Sequence, residues 1–327
     1  MTLVLSRADV LDLLSLPECI NAVEHAFRLH AEGHTLGPGV LSVHASGGGF
    51  HIKAAGLVGR RSYFAAKTNA NFSDNPRRWG LPTIQGTIVL ADAANGTPLA
   101  IMDSGSVTAL RTGAATAVAA KFLARPDAAT ATVVGCGVQG EVQLAALAAV
   151  LPLRRIILVD VDHARAEDLA ARASARHGVQ VEPSKDLRSA LRESDVCVTC
   201  TTSRRAFLGS GDVMPGIFIA AVGADNPEKQ ELEPSLLASA TVVVDVLHQC
   251  AEIGELHHAL AAGVLTAQQV HAELADVVIG RRPGRTRPDE ITIFDSSGTA
   301  LQDVAAAVAV YEKASASGRG TVVKLDA

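Results

Sequence analysis

The chain has 327 residues, of which 48% are hydrophobic, 19% charged and only 3% aromatic, and its net charge is −5. This composition excludes a disordered chain and a nucleic-acid-binding protein with a strongly basic surface, while the length suffices for two ordinary domains. We expect neither a secretory signal nor a membrane span, because the sequence lacks a basic, cleavable leader and any apolar run of about 18 residues. A cytoplasmic location is therefore the default prediction.

The first part of the chain is predicted to be helical and then to change to strands. Ser15 and Pro17 are typical of a helix start, and Gly33 ends a helical pattern that covers the first 35 residues or so. Five short β-rich runs follow, at residues 40–44, 50–54, 63–68, 84–90 and 99–103. Asn95-Gly96 between the last two is typical of a hairpin turn. The pattern predicts a mostly antiparallel sheet.

The second part of the chain alternates buried strands with helices. A long alanine-rich helix is predicted over residues 107–124. Apolar strands are predicted at residues 129–134, 155–159, 196–200, 217–222 and 241–244, with a last strand at 291–294 and a last helix at 300–316. Buried strands that alternate with helices are typical of a parallel, doubly wound α/β sheet.

Five cysteines are present, and two of them, Cys197 and Cys200, form a C-x-x-C pair. This spacing is compatible with redox chemistry or zinc. The pair lies in an apolar run that is predicted to be a buried strand, however, and a second C-x-x-C that would complete a metal site is missing from the sequence. We therefore predict buried thiols and no metal site.

A glycine-rich loop, Gly135-Cys136-Gly137-Val138-Gln139-Gly140, directly follows a predicted strand and opens a predicted helix. Such glycines allow a tight turn and a close approach of backbone to a pyrophosphate at the helix N-terminus. Asp160 ends the next strand, twenty residues after Gly140, where a carboxylate accepts hydrogen bonds from the adenosine ribose and repels a 2′-phosphate. Asp162 adds negative charge. The order of elements predicts NAD rather than NADP; the alternative is an ordinary glycine turn beside a surface aspartate.

Three polar residues are candidates for substrate chemistry. Strand alternation places Lys67 on the face opposite Phe64, where it is either a solvated edge charge or a site residue. Arg111 lies early in the long helix among small residues that can admit a phosphate or carboxylate. Asp225 follows the strand predicted at residues 217–222, at a carboxyl end where open α/β sheets bind ligands, and its alternative role is a helix cap.

Several separate segments now resemble one family in the same order along the chain. Residues 107–121, 223–232 and 293–303, the glycine loop and the Lys67 strand resemble the ornithine cyclodeaminase/mu-crystallin family. This resemblance covers nearly the whole chain. It implies a Rossmann NAD-binding domain at residues 116–299 and a smaller α+β domain at 1–115 with 300–327, whose open-faced sheet forms a homodimer and which binds substrate.

The resemblance also implies roles for individual residues. Lys67 matches a lysine that contacts the substrate carboxylate, and Asp225 matches the proton donor or acceptor. The positions that match cofactor contacts are Thr83, Arg111, Gly135, Gly137, Val138, Gln139, Gly140, Asp160, Thr201, Val222, Lys229 and Ser297.

The sequence departs from the cyclodeaminase pattern at the substrate side. Pro38-Gly39 stands where cyclodeaminases carry an arginine after a proline, and His51 stands at a position that is often acidic in them. Lys53 shares the strand face of His51 and can supply the missing cation, although a lysine lacks the bidentate fork of arginine. The alternative is that His51 and Lys53 lie on a solvated face.

The function that the family resemblance implies is an NAD(H)-dependent oxidoreductase that acts on the Cα–N bond of an α-amino acid or its cyclic imine. Amino-acid dehydrogenases and pyrroline- or piperideine-2-carboxylate reductases are examples. The departures at Gly39, His51 and Lys53 make an ammonia-releasing ornithine cyclodeaminase the second hypothesis. A dinucleotide-binding protein without turnover, as for mu-crystallin, is a hypothesis of another class. The expected partners are a small-molecule substrate and a second copy of the chain, with no nucleic acid and no membrane.

Overall fold

The computed structural model describes residues 1–325, without the side chains of residues 175–177. The chain divides into two compact units. The first unit comprises Met1–Arg111 and Thr299–Ala327, and the second comprises Thr112–Gly298. The sequence prediction placed its two boundaries after residues 115 and 299. We propose that these units are the substrate-binding and NAD-binding domains that the family resemblance implies.

The elements are numbered in chain order. The strands are β1 Thr2–Leu5, β2 Thr35–Ala45, β3 Gly48–Leu57, β4 Tyr63–Asn71, β5 Ile84–Asp92, β6 Pro98–Asp103, β7 Thr130–Val134, β8 Arg155–Val159, β9 Gln180–Ser184, β10 Val196–Thr199, β11 Arg204–Leu208, β12 Phe218–Ala221, β13 Gln230–Leu232, β14 Thr241–Val244, β15 Ala272–Glu273, β16 Thr292–Asp295 and β17 Thr321–Val323. The helices are α1 Arg7–Leu13, α2 Leu16–Ala31, α3 Asn75–Trp79, α4 Ser104–Leu123, α5 Val138–Val150, α6 His163–His177, α7 Leu187–Arg192, α8 Pro234–Ala238, α9 Leu247–Ile253, α10 Glu255–Ala261, α11 Leu274–Val278 and α12 Ala300–Ser317.

The first unit contains a seven-stranded sheet in the order β17-β1-β6-β5-β4-β3-β2. Pairing is antiparallel from β6 through β2, which confirms the predicted antiparallel sheet. The prediction that the chain starts as helix was wrong for Thr2–Leu5. This segment is a strand that pairs in parallel with β6 and antiparallel with β17. Both partner strands are distant in the sequence. The strand pattern of these four residues is short, and the helical spacing of the residues after them led to the wrong prediction.

One face of this sheet is covered by helices. Helix α12 packs against α2 and over β3 and β4. Along β4 the side chains of Tyr63, Ala65 and Lys67 are buried, whereas those of Phe64 and Thr68 are exposed. The predicted alternation around Lys67 is therefore confirmed. The alternative that Lys67 is a solvated edge charge was wrong, because the strand is inside the sheet and α12 covers this face.

The other face of the same sheet is open and apolar. Cross-strand pairing brings Val43 beside Phe50 and Ala66 beside Val89. Exposed large apolar side chains on this face include Leu41, Val43, Phe50, Phe64 and Val89, which are 37% to 57% exposed. An exposed apolar patch of this kind is typical of a protein–protein interface.

The second unit contains an eight-stranded, wholly parallel sheet in the order β15-β14-β16-β12-β10-β7-β8-β9. This confirms the predicted doubly wound α/β fold. The strand order reverses between β7 and β10, which is the position where such sheets bind ligands. The sequence prediction missed β9, because its polar residues and Pro183 do not resemble a buried strand and because it lies at the sheet edge.

The C-x-x-C pair lies at strand β10 of this sheet. Cys197 is fully buried and Cys200 half-buried, and all five cysteines are free. Burial raises the pKa of the Cys197 thiol, which disfavours the reactive thiolate. Within residues 1–325, three or more histidine, cysteine or acidic side chains do not come together as a metal-binding group. None of the helices described is both long and apolar enough to cross a membrane.

Candidate functional site

The glycine loop of the second unit is built from close backbone contacts. Gly135 has φ of +102°, a conformation that favours glycine, and a Cβ atom there would lie 2.9 Å from the carbonyl oxygen of Cys200. A Cβ atom at Gly140 would overlap with the carbonyl oxygen of Gly135. Gly135 thus allows the ends of β7 and β10 to lie close together, and Gly140 allows α5 to start close to the Gly135 backbone.

Gly137 in the same loop serves a different purpose. It is the N-cap of α5, and a Cβ atom there would meet no described atom within 4 Å. Val138 and Gln139 follow it in the first helical turn, and Val138 is exposed. The unoccluded backbone N–H groups of a helix N-terminus bind phosphate well, so this part of the loop fits the pyrophosphate of a dinucleotide.

Asp160 lies directly beside this loop. Its Oδ2 atom accepts a hydrogen bond of 2.7 Å from the backbone N–H of Cys136, and Oδ1 accepts one of 2.9 Å from that of Asp162. A carboxylate has about four acceptor positions, so oriented lone pairs remain for ribose hydroxyls. Its charge disfavours an added 2′-phosphate. The geometry fits the adenosine ribose of NAD.

The remaining predicted cofactor positions in the second unit lie at the carboxyl edge of the sheet. Thr201 follows β10, Val222 follows β12, and Ser297 follows β16, and these three strands are neighbours. The Ser297 hydroxyl donates to Asp245 Oδ1 at 2.8 Å and is buried. The structure therefore brings these three positions to one edge, as parallel strands require.

Asp225 lies in the loop that follows β12. Its Oδ1 atom is 2.7 Å from Lys229 Nζ, and its side chain is 47% exposed. Asn226 Nδ2 donates to the same oxygen at 3.3 Å. The alternative prediction of a helix cap was wrong, because the chain turns here and continues into β13. An accessible carboxylate beside a lysine is suited to proton exchange with a ligand.

The sequence analysis missed a group of buried carboxylates behind this edge, namely Glu231, Asp245, Glu255 and Asp295. Each accepts hydrogen bonds from backbone N–H groups at a strand or helix end. Burial raises the pKa of Asp295 to about 7, with the nearby charge of Asp245 adding to the effect. An acidic residue after a strand is also common in surface loops, so the local sequence pattern did not indicate this buried group.

The first unit contains a buried cluster around Lys67. Lys67 Nζ donates to Asp303 Oδ1 at 2.9 Å, and Arg111 Nε donates to the same atom at 2.9 Å. Arg111 Nη1 also donates to Gln302 Oε1 at 2.8 Å. The prediction did not include Asp303 or Gln302, because an acid in the first turn of a helix is usually explained by the helix dipole.

The charges of this cluster are unequal. Burial lowers the pKa of Lys67 to about 7; the charge of Asp303 opposes the shift, and the charges of Arg111 and Lys53 add to it. Burial opposes ionisation of Asp303, but Lys67 and Arg111 hold its pKa below the usual value. Three basic side chains thus act on the carboxylate of Asp303 in a buried place. A carboxylate supplied by a ligand would interact favourably with the same side chains.

Lys53 and His51 lie on the same face as Lys67. Lys53 pairs with Lys67 across β3 and β4, and only 8% of it is exposed. The solvated-face alternative was therefore wrong for Lys53. His51 is half-buried, and its Nδ1 atom lies 3.0 Å from the Ser42 hydroxyl.

Two further predicted positions lie elsewhere in the first unit. Thr83 immediately precedes β5, and its carbonyl accepts from the Phe72 N–H at 2.9 Å. Gly39 pairs with Ala54, which places residue 39 on the sheet face opposite Lys53. The departure from the cyclodeaminase pattern at this position stays a prediction.

The comparisons with known proteins identify one family, and the matches cover nearly the whole chain. The model of the ornithine cyclodeaminase/mu-crystallin family matches residues 1–318. An alanine dehydrogenase of Archaeoglobus fulgidus is 38% identical over 324 residues, which cover 99% of this chain and 98% of that protein.

Two solved structures have the same fold. An archaeal alanine dehydrogenase dimer with bound NAD matches with a TM-score of 0.94 at 38% identity, covering 99% of each chain. The Δ1-pyrroline-2-carboxylate reductase of Thermococcus litoralis, in complex with NADH and L-proline, matches with a TM-score of 0.94 at 32% identity, covering 98% of this chain and 100% of that one. The chain belongs to the ornithine cyclodeaminase/mu-crystallin family.

Proposed function

We propose that this protein is an NAD(H)-dependent oxidoreductase acting on the Cα–N bond of an α-amino acid or its cyclic imine. An alanine dehydrogenase and a Δ1-pyrroline-2-carboxylate reductase are among its relatives, and NAD or NADH is bound in two structural neighbours. The glycine loop and Asp160 fit the same cofactor. We also propose a cytoplasmic location, where such a cofactor is available.

The observation that carries this proposal is the buried group of cations around Lys67. The charges of Lys53, Lys67 and Arg111 all act on the carboxylate of Asp303. Both an amino acid and its imine carry a carboxylate next to the reacting carbon. In our proposal Lys67 donates to that carboxylate, while Asp303 orients the Lys67 ammonium group and Lys53 adds positive charge.

The proton that accompanies hydride transfer needs a separate group. When bound, NAD accepts a hydride from Cα, and NADH returns one to it. We assign proton transfer at the substrate nitrogen, or at the water that hydrolyses an imine, to Asp225. Its ion pair with Lys229 at 2.7 Å orients the carboxylate, and its exposure allows protons to reach it.

The cofactor-side roles follow the positions found in the structure. We assign the pyrophosphate to Gly135, Gly137, Val138, Gln139 and Gly140, and the ribose to Asp160. Further cofactor contacts are assigned to Thr83, Arg111, Thr201, Val222, Lys229 and Ser297. Arg111 donates through Nε to Asp303 and through Nη1 to Gln302, and we assign this contact to its other N–H groups.

We propose a homodimer that forms through the open sheet face of the first unit. The neighbouring alanine dehydrogenase is a dimer. The apolar side chains of Leu41, Val43 and Phe50 are exposed on that face, and their burial against a second copy would be favourable.

A substrate panel tests the proposed function. Oxidation of NADH is followed with pyrroline-2-carboxylate, piperideine-2-carboxylate, and keto acids with ammonia. We expect turnover with at least one of them. Turnover with none, together with ammonia release from ornithine in the presence of NAD, would instead indicate a cyclodeaminase. Absence of both activities, with intact NADH binding, would indicate a binding protein.

A further inference from the structure

Glu231 joins two loops of the second unit. Its Oε1 atom accepts a hydrogen bond of 2.6 Å from the backbone N–H of Thr201. Its Oε2 atom accepts from the Gly223 N–H at 3.0 Å and from the Thr199 hydroxyl at 2.6 Å. The side chain is completely buried. We call this carboxylate with its three donors the Glu231 bridge.

The two loops carry predicted functional residues. Thr199 and Thr201 lie at and beyond the end of β10, and Gly223 lies two residues beyond the end of β12 and two before Asp225. We propose that Glu231 is a positioning residue, which sets the place of Asp225 relative to the cofactor-binding edge by holding these loop ends together. This inference rests on the proposed function for the role of Asp225.

The glycine at position 223 is independent support for a close approach between this loop and the Glu231 carboxyl group. A Cβ atom at Gly223 would overlap with the carboxyl group of Glu231. Gly223 does not have a positive φ, so the backbone conformation alone does not require glycine here. Contact with Glu231 therefore explains why a side chain is missing at this position.

Glu231 is itself held by a second buried carboxylate. Glu255 accepts from the backbone N–H groups of Glu231, at 2.7 Å, and Leu232, at 3.1 Å. Asp295, at the end of β16, accepts in turn from the N–H groups of Glu255 and Leu256. The Glu231 bridge is thus connected to a third strand end. Buried and fully hydrogen-bonded groups of this kind are rigid, as a positioning role requires.

Glu231→Gln tests the bridge with little change of size. Its amide nitrogen would face one of the two backbone N–H donors, so one hydrogen bond is lost. We expect kcat for imine reduction to fall by about 10- to 100-fold, because small displacements of a reacting group have effects of this size. We expect the Kd of NADH and the KM of the imine to change by less than about threefold. Gly223→Ala approaches the same contact from the other side and should lower kcat likewise.

Asp195→Asn is the matched control. Asp195 also accepts from two backbone N–H groups, those of Ala129 and Thr130, at 2.7 and 3.0 Å. It lies before β10, at the amino ends of the strands, and it also pairs with Arg125. A merely structural loss should affect both variants similarly. We expect Asp195→Asn to lower Tm while retaining kcat within about threefold.

Amide hydrogen exchange reports the bridge without turnover. The Thr201 and Gly223 amides should exchange at least about tenfold faster in Glu231→Gln than in the original protein. Unchanged exchange, unchanged kcat in both bridge variants, or an equal fall of kcat in Asp195→Asn would overturn the positioning role. If the original protein reduces no imine or keto acid, the proposed function fails instead, and exchange still decides whether the bridge orders the loops.

Discussion

Lys67 and Asp303 form a buried ion pair, with Lys67 Nζ 2.8 Å from Asp303 Oδ2 and both side chains at most 4% exposed. They are 236 residues apart in the chain, on β4 and α12. Arg111 shares the same carboxylate. Because two basic side chains converge on this buried carboxylate, the cluster is suited to a carboxylate ligand, and this relationship leads to the first two predictions.

Substitution of Lys67 should impair substrate binding more than cofactor binding. In Lys67→Met the apolar stem is retained but the ammonium is lost, while Arg111 still pairs with Asp303. We expect KM for the imine to rise by about 10- to 100-fold, since hydrogen bonds to charged groups contribute about 1.5–3 kcal/mol. The Kd of NADH should stay nearly constant. Lys313→Met, at an exposed lysine paired with Glu18, is the control. A similar KM in both variants would refute the role of Lys67.

The pKa of Lys67 predicts a pH dependence of substrate capture. Burial lowers this pKa to about 7, so the ammonium of the ligand-free protein loses its proton as the pH rises through 7. A carboxylate binds the protonated form. We therefore expect kcat/KM to fall above pH 7, approaching about tenfold per pH unit. Initial rates from pH 6 to 9 measure this limb. Its persistence in Lys67→Met would assign it to another group.

Two glycines of the phosphate loop should respond differently to the same substitution. A Cβ atom at Gly137 meets open space, whereas one at Gly140 overlaps with the Gly135 carbonyl oxygen. Gly137→Ala should therefore fold with nearly unchanged Tm but bind NADH at least about tenfold more weakly, because the methyl group occupies the space of the pyrophosphate. Gly140→Ala should lower Tm. Thermal unfolding and fluorescence titration with NADH measure both effects. Normal NADH binding by Gly137→Ala would contradict the placement of the pyrophosphate.

Asp160 should determine the preference between the two nicotinamide dinucleotides. Asp160→Ala removes the acceptor for the ribose and the charge that repels a 2′-phosphate. We expect the Kd of NAD to rise by about tenfold or more and that of NADP to change little. Asp162→Ala is the control, because that carboxylate is exposed and pairs with Arg165. An equal loss for NAD and NADP in Asp160→Ala would exclude the ribose contact.

Local sequence signals were sufficient for the residues that act through their own segment. The spacing of glycines between a strand and a helix predicted the phosphate loop, and strand alternation predicted that Lys67 lies on the face opposite Phe64. The parallel sheet followed from its apolar strands. In each case the residues that determine the feature lie within about 25 positions of each other in the sequence, as Gly135 and Asp160 do.

Long-range partners were not predictable in the same way. Thr2–Leu5 is a strand because β6 and β17 lie on either side of it. In the sequence, Asp303 resembles an acid that interacts with the helix dipole. Its contact with Lys67 depends on the position of β4, which is distant in the sequence. Glu231 lies in a three-residue strand and its carboxylate bonds to two other strand ends. Such roles depend on which distant segment lies against the side chain. The neighbouring residues in the sequence do not indicate that segment.

Isotope transfer tests the central claim most directly. The protein is incubated with NADH deuterated at the transferable C4 position and with pyrroline- or piperideine-2-carboxylate, and the product amino acid is analysed by mass spectrometry. The proposed oxidoreductase predicts one deuterium at Cα for each NADH consumed. An amino acid without deuterium at Cα, or ammonia release from ornithine with no net consumption of NAD or NADH and no imine reduction, would contradict it.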